Sequence, residues 1–156
     1  MRAGESHRGR DGGHYAPGVE PSEARDRLAG ARVARLATVD PQGRPHLVPI
    51  CFAVAGETIY NAVDHKPKRT SRLRRIANVA GNPRVAVLAD HYEDEDWGAL
   101  WWVRADGWGR VLEAGSPEAS RAVELLCERY APYRSSPPAG PVLAIEVARW
   151  SGWRGS

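Results

Sequence analysis

The chain has 156 residues, with 22 Lys and Arg against 19 Asp and Glu, and 42% of its residues are hydrophobic. That length carries one domain with a real core, and the balance is ordinary for a water-soluble globular protein. No apolar run approaches the ~18 residues of a membrane-spanning helix, and a net charge of +3 is too mild to imply nucleic acid by itself.

Residues 1–20 are rich in Gly, Arg and polar groups without a period. They predict a disordered arm ahead of a single domain over 21–156. The arm lacks the apolar stretch of a secretory signal, so a cytoplasmic protein is expected. Pro21 and Ser22 open a short helix to about residue 30, with Ser22 as its cap and Leu28 facing inward. The run RVARLATVD then reads as a strand, closed by the turn Asp40-Pro41-Gln42-Gly43. LVPICFAV is a second strand, and Pro49 inside it predicts an edge, a bulge or a bend, because proline cannot donate to a ladder. Ala55-Gly56 turns the chain into a third strand over 58–63. Three strands joined by tight turns predict an antiparallel meander.

Six of the ten residues from Lys66 to Arg75 are Lys or Arg. Lys66 and Lys68 bracket Pro67 in a loop, and the rest fall on a helix capped by Thr70 or Ser71, with Leu73, Ile76 and Ala77 as its buried stripe. Gly81 to Pro83 ends that helix. RVAVLA, residues 84–89, is a fourth strand. Residues 90–96 carry five acids and read as a solvated loop. The run from Leu100 to Leu112 is one long strand or two, with Gly107 and Gly109 marking a bulge. Ser116-Pro117-Glu118 starts a helix whose stripe is Ala119, Ala122, Val123, Leu126, Cys127 and Tyr130. A loop follows, and VLAIEVARW closes the chain as a last strand. The sum is mainly β with peripheral helices, a six-stranded antiparallel barrel. Cys51 and Cys127 have no CxxC partner and read as buried thiols.

The order RVARLATVDPQGRPHLVPICFAV, IYNAVDHKPKRTSRLRRIANVAGNPRVAVL, WWVRADGWGRVLE and VARWSGWR resembles the FMN-binding split-barrel family, the pyridoxamine 5'-phosphate oxidase fold. It looks most like the members that use the deazaflavin F420, the PPOX-class F420-dependent oxidoreductases. The resemblance implies a homodimer with cofactor at the subunit interface. It implies that the cofactor ring lies against Val48, Pro49 and Ile50. It also implies that the phosphate is held by Asn61, Ala62, Val63, His65, Lys66, Pro67 and Lys68. Trp101 and Trp102 are expected to reach the site of the other subunit. The extra C-terminal residues that bind pyridoxamine phosphate are not found, which counts against vitamin B6 oxidation.

The basic run has its own physical reason. F420 carries a phosphodiester and a polyglutamate tail, and Lys and Arg beside a helix start stabilise such charge. FMN, with one terminal phosphate, needs fewer cations and is the alternative. The bland reading is that the later arginines are the wet face of a helix. His65 and Asp64 point to opposite sides of an extended chain and do not form a proton-transfer pair. His46 and His91 have no partner at metal-ligand spacing, and the acids at 90–96 lack EF-hand order. The tryptophans fill core and interface, with one or two at a pocket. No nucleophile motif stands out, which fits an enzyme whose cofactor carries the hydride to a small-molecule substrate. A non-catalytic cofactor carrier is a rival. Nucleic acid is disfavoured, because aromatics are not interleaved with the basic run.

Overall fold

The computed structural model describes residues 18–63 and 69–156. The first seventeen residues of the expected arm fall outside that range. Val19 donates its N–H to the Gly152 carbonyl at 3.2 Å, and Gly18 bridges Trp153. Helix α1 is Pro21–Gly30. It begins one residue earlier than predicted, with Glu20 at the cap and proline in the first turn, so Ser22 is inside the helix and caps nothing. Ala24 and Leu28 are its buried face.

Seven strands follow: β1 Ala34–Val39, β2 Pro45–Ile50, β3 Ala53–Ala55, β4 Thr58–Ala62, β5 Arg84–His91, β6 Trp101–Leu112 and β7 Val142–Arg154. They form one antiparallel sheet in the order β2-β1-β5-β6-β7-β4-β3. The seventh strand arises because LVPICFAV is not one strand. It breaks at Cys51 and Phe52, and its two halves lie on opposite edges of the sheet. The expected meander is therefore interrupted: β1 pairs with β2 and β3 with β4, but β4 continues onto β7. The curled sheet is a half-barrel whose seam is the peptide joining its two edges.

The seam exposes backbone groups that a ladder would have paired, and buried groups must find partners. Two side chains supply them. Asn61 Nδ2 donates to the Cys51 carbonyl at 2.8 Å. The Tyr130 hydroxyl accepts from the Phe52 N–H at 3.2 Å and lies 3.1 Å from the Phe52 carbonyl and 2.8 Å from that of Arg32. Phe52 is fully buried, in the cluster with Leu28, Leu36, Ile59, Val87, Val103, Leu143 and Ile145. Pro49 sits on edge strand β2, where a missing donor costs least.

Helix α2, Arg69–Gly81, lies against β1 and β6. Thr70 and Ser71, the expected caps, are inside it, and their side chains lie outside the described ones. Its stripe also differs from the expectation. Leu73 lies outside the described side chains, Ile76 is half-buried, Ala77 is exposed, and Asn78 and Val79 are buried. Asn78 goes inward because its amide donates to buried Thr38 Oγ1 at 3.0 Å. The β6–β7 pairing shifts register between Asp106 and Gly107, at the predicted bulge. A Cβ on Gly107 would stand 2.2 Å from the Glu146 carbonyl oxygen, so the strands approach there as only glycine allows. Helix α3, Pro117–Arg129, is capped by Ser116, and its buried face leads to Tyr130 at the seam. A short α4, Ala131–Ser135, occupies part of the expected loop. Both cysteines are half-buried and free.

Candidate functional site

The predicted ring-facing residues lie in order along β2. Val48 packs partly against the core, Pro49 is exposed, and Ile50 is buried. Pro49 stands opposite Arg35, and Ile50 opposite Ala34. Of the predicted phosphate residues, Asn61 and Ala62 are the buried end of β4 and Val63 follows it, half-buried. His65, Lys66, Pro67 and Lys68 lie outside the described residues. The two groups meet at Asn61. Its amide nitrogen holds the Cys51 carbonyl, just beyond Ile50, and its oxygen accepts from Arg75 Nη1 of α2 at 3.2 Å. One buried side chain thus ties the end of β2, the exit of β4 and the basic helix.

Beside Pro49 the outer face of the sheet carries a groove of about 700 Å³. The register builds it. Successive residues of a strand point to opposite faces, so paired residues share one. Pro49, Arg35, Leu88 and Arg104 form one row across four strands. Asp90, Trp102 and Trp153 form the next. Leu47, 67% exposed, and Tyr92, 62% exposed, stand at its margin. Arg35 pairs with Asp90 at 3.0 Å and Arg104 with Asp106 at 3.0 Å, so the charged members neutralise one another and the walls are mostly apolar. Trp101 and Trp102 do point apart, as the strand period requires. Trp101 stacks on His91, with ring centroids 6.2 Å apart, and lies under the Arg27 guanidinium; Trp102 is 37% exposed. Trp150 is buried, donating to Glu57 at 2.5 Å, while Trp97 and Trp108 are on the surface.

A separate polar network ties β4, β6, β7 and α3. Arg110 joins Glu118 at 2.9 Å and Glu146 at 2.6 Å, and the Tyr60 hydroxyl donates to Glu118 at 3.0 Å. The hydrogen bond from Arg110 holds the Glu118 carboxyl below its usual range, and burial pushes the Tyr60 phenol up. This Tyr stays a hydrogen-bond donor at neutral pH, so the cluster is a brace and not an acid–base pair. Burial, and then the charges of Arg74 and Arg75, hold the His46 imidazole below its ordinary value. Among the described residues no group of three His, Cys, Asp or Glu side chains could hold a metal ion. No described helix is long and apolar enough to cross a membrane.

Sequence reasoning missed Tyr130 as a seam residue and Arg75 as the partner of Asn61. The first was visible only as the end of a helical stripe. The second was visible as one of many arginines. It also missed that Asp90 belongs to a strand and pairs with Arg35, because five acids in seven residues look like one solvated loop.

The family model described as pyridoxamine 5'-phosphate oxidase matches residues 21–154. The chain is 33% identical over 84 residues to a 5a,11a-dehydrotetracycline/5a,11a-dehydrooxytetracycline reductase of Streptomyces rimosus. That match covers 54% of this chain and 58% of the relative, so the chain spans little more than half the length of the curated protein it resembles. Solved structures share the fold. A FAD-binding protein of Mesorhizobium loti superposes with a TM-score of 0.68 at 21% identity, covering 90% of this chain and 98% of that one. A heme-binding protein of Mycobacterium smegmatis gives 0.69 at 20% identity, covering 86% of this chain and 54% of that one. With its half-barrel, its seam and a family match across nearly every described residue, the chain belongs to the pyridoxamine 5'-phosphate oxidase family.

Proposed function

We propose that the protein is an F420-dependent oxidoreductase that passes a hydride between the deazaflavin and an electrophilic small molecule such as an enone or quinone. The observation that carries this reading is the Asn61 junction. It fixes the exit of β4 against the end of β2, so the strand assigned to the ring and the segment assigned to the phosphate are neighbours, with a basic helix beside them. Edge strand β2 leaves half its backbone groups outside any ladder, which suits recognition of the polar rim of a flat ring. Exposed Pro49 supplies an apolar wall next to it. The cofactor, when bound, supplies the hydride chemistry. The chain's part is to orient the ring at Val48, Pro49 and Ile50, to neutralise the phosphate and tail with Lys66, Lys68 and the arginines of α2, and to exclude water. A dehydrotetracycline reductase among the relatives supports reduction of a small-molecule acceptor.

The site is completed in a homodimer, with the groove face of one copy set against the other. The exposed apolar side chains Leu47, Leu88 and Trp102 support this, because an apolar patch rimmed by paired charges is the anatomy of an interface. Trp102 of a second copy would then stand near the ring. The second reading is an FMN oxidase or reductase of the same fold; a FAD-binding protein among the structural neighbours keeps it alive. Steady-state oxidation of reduced F420 with a panel of enone and quinone acceptors tests the first reading. Turnover supports it. Binding without turnover for any acceptor makes the protein a carrier.

A further inference from the structure

A second pocket, of about 480 Å³, lies between the β1–β2 turn and helix α2. Asp40, Gln42, Arg44, His46, Arg74 and Asn78 line it. Its charges do not cancel as those of the outer groove do. The Asp40 carboxylate is consumed by the turn: it accepts from the backbone N–H groups of Gln42 and Arg44, each at 2.9 Å, and from Arg44 Nε at 2.7 Å. Those bonds hold its carboxyl below the usual range, so it remains ionised and engaged. Against that one anion stand the guanidiniums of Arg44 and Arg74. Arg74 is exposed and makes no hydrogen bond or ion pair with a described residue. The pocket floor is rigid, because the buried Asn78–Thr38 hydrogen bond fixes α2 to β1.

His46 is the second observation. Its Nδ1 is buried and has no hydrogen-bond partner among the described residues. A buried polar atom left in that state costs free energy unless something fills its place. Arg74 lines the same pocket as His46. Two cationic side chains and an unsatisfied ring nitrogen around one polar cavity match one ligand chemistry, a small oxyanion. The guanidiniums supply charge-assisted donors, and His46, in the Nδ1–H tautomer, supplies a neutral one.

We infer that this pocket is an anion subsite for a carboxylate or phosphate group, with Arg74 as its principal cation and His46 as a hydrogen-bond donor. The anion has two possible sources, a free metabolite or the acidic tail of a bound cofactor. Geometry favours the tail. Arg75 joins the pocket's helix to Asn61 at the exit of β4, and Arg74 stands five residues from the helix start, about 7 to 8 Å along the axis. A glutamyl chain spans that length. The tail assignment rests on the F420 reading, whereas the anion subsite does not.

The test has two arms on the full-length protein. In the first, the affinity of F420 with its glutamyl tail and of the same deazaflavin phosphate without glutamates is measured by fluorescence for wild type, Arg74→Ala and His46→Ala. The tailed cofactor is expected to lose about tenfold in affinity with Arg74→Ala and less with His46→Ala, while the tail-free form changes less than about twofold. Equal effects on both forms, or none, overturn the tail assignment. In the second arm, the His46 ring resonances are followed by NMR while a γ-linked triglutamate, and separately inorganic phosphate, is added. Saturable movement in wild type that is lost in Arg74→Ala supports the subsite. Resonances that stay still with both anions overturn it. Failure of F420 to bind at all, with His46 still responding, rejects the cofactor reading and leaves the subsite standing.

Discussion

Tyr130→Phe is the sharpest perturbation of the fold that positions the site. The ring keeps its packing in the small cluster with Leu126 and Val142, and its place under the Arg32 guanidinium. Only the hydroxyl is lost. That oxygen satisfies the N–H of fully buried Phe52 at the seam, while its contact to the Arg32 carbonyl is at an exposed residue that water can serve. Leaving one buried donor unsatisfied costs ~1–3 kcal/mol, and about 2 kcal/mol is the working figure. For a domain of this size a urea dependence of about 2 kcal/mol per molar turns that into a midpoint lower by about 1 M. The melting temperature should fall by roughly 4–8 °C. Equilibrium urea unfolding followed by tryptophan fluorescence reads the effect, and the slope should not change. A midpoint within about 0.2 M of wild type would refute the claim that the hydroxyl satisfies the seam.

Asn61→Leu removes both the donor to Cys51 and the acceptor for Arg75; it should destabilise the fold by ~2–4 kcal/mol and weaken cofactor binding more than Tyr130→Phe does. Equal cofactor affinity in the two variants at matched stability would remove Asn61 from the site. Lys66→Ala with Lys68→Ala should raise the cofactor dissociation constant at least about tenfold, read by fluorescence titration, and unchanged binding discards both lysines. His46 carries a pH signature. Its folded value is held below the ordinary ~6.5, so below that pH the unfolded chain binds the proton first and stability falls as pH falls. His46→Gln should therefore lose less stability than wild type between pH 7 and pH 5 in urea midpoints, and parallel curves would contradict the shift. Leu47→Glu places a charge on the exposed margin of the groove and should turn a dimer into a monomer in light scattering; a persistent dimer moves the interface elsewhere.

Most local features were legible because local chemistry makes them. The Asp40 turn closes on its own side-chain and backbone bonds, with Gly43 at a φ of 78°. Ser116 caps α3, and the bulge falls at Gly107. The seam was legible only in part: Pro49 in LVPICFAV signals an edge or a bend, but nothing in that apolar run places a break at Cys51 and Phe52. What stabilises the break comes from Asn61, ten residues on, and from Tyr130, 78 residues on. The buried face of α2 failed for the same reason. Asn78 looks polar and solvent-facing until Thr38, forty residues earlier, is placed opposite it. The site shows the same division: the basic run is evident in the sequence, but its tie to β2 through Asn61 exists only in the folded chain.

Competitive equilibrium titration decides the identity of the cofactor. Purified protein, freed of any bound chromophore, is titrated with F420 and with FMN under the same conditions, each followed by its own fluorescence. Saturable binding of F420 at micromolar concentration or tighter is expected, with FMN at least about tenfold weaker and unable to displace it. Tighter binding of FMN, or saturation by neither, would contradict the F420 reading.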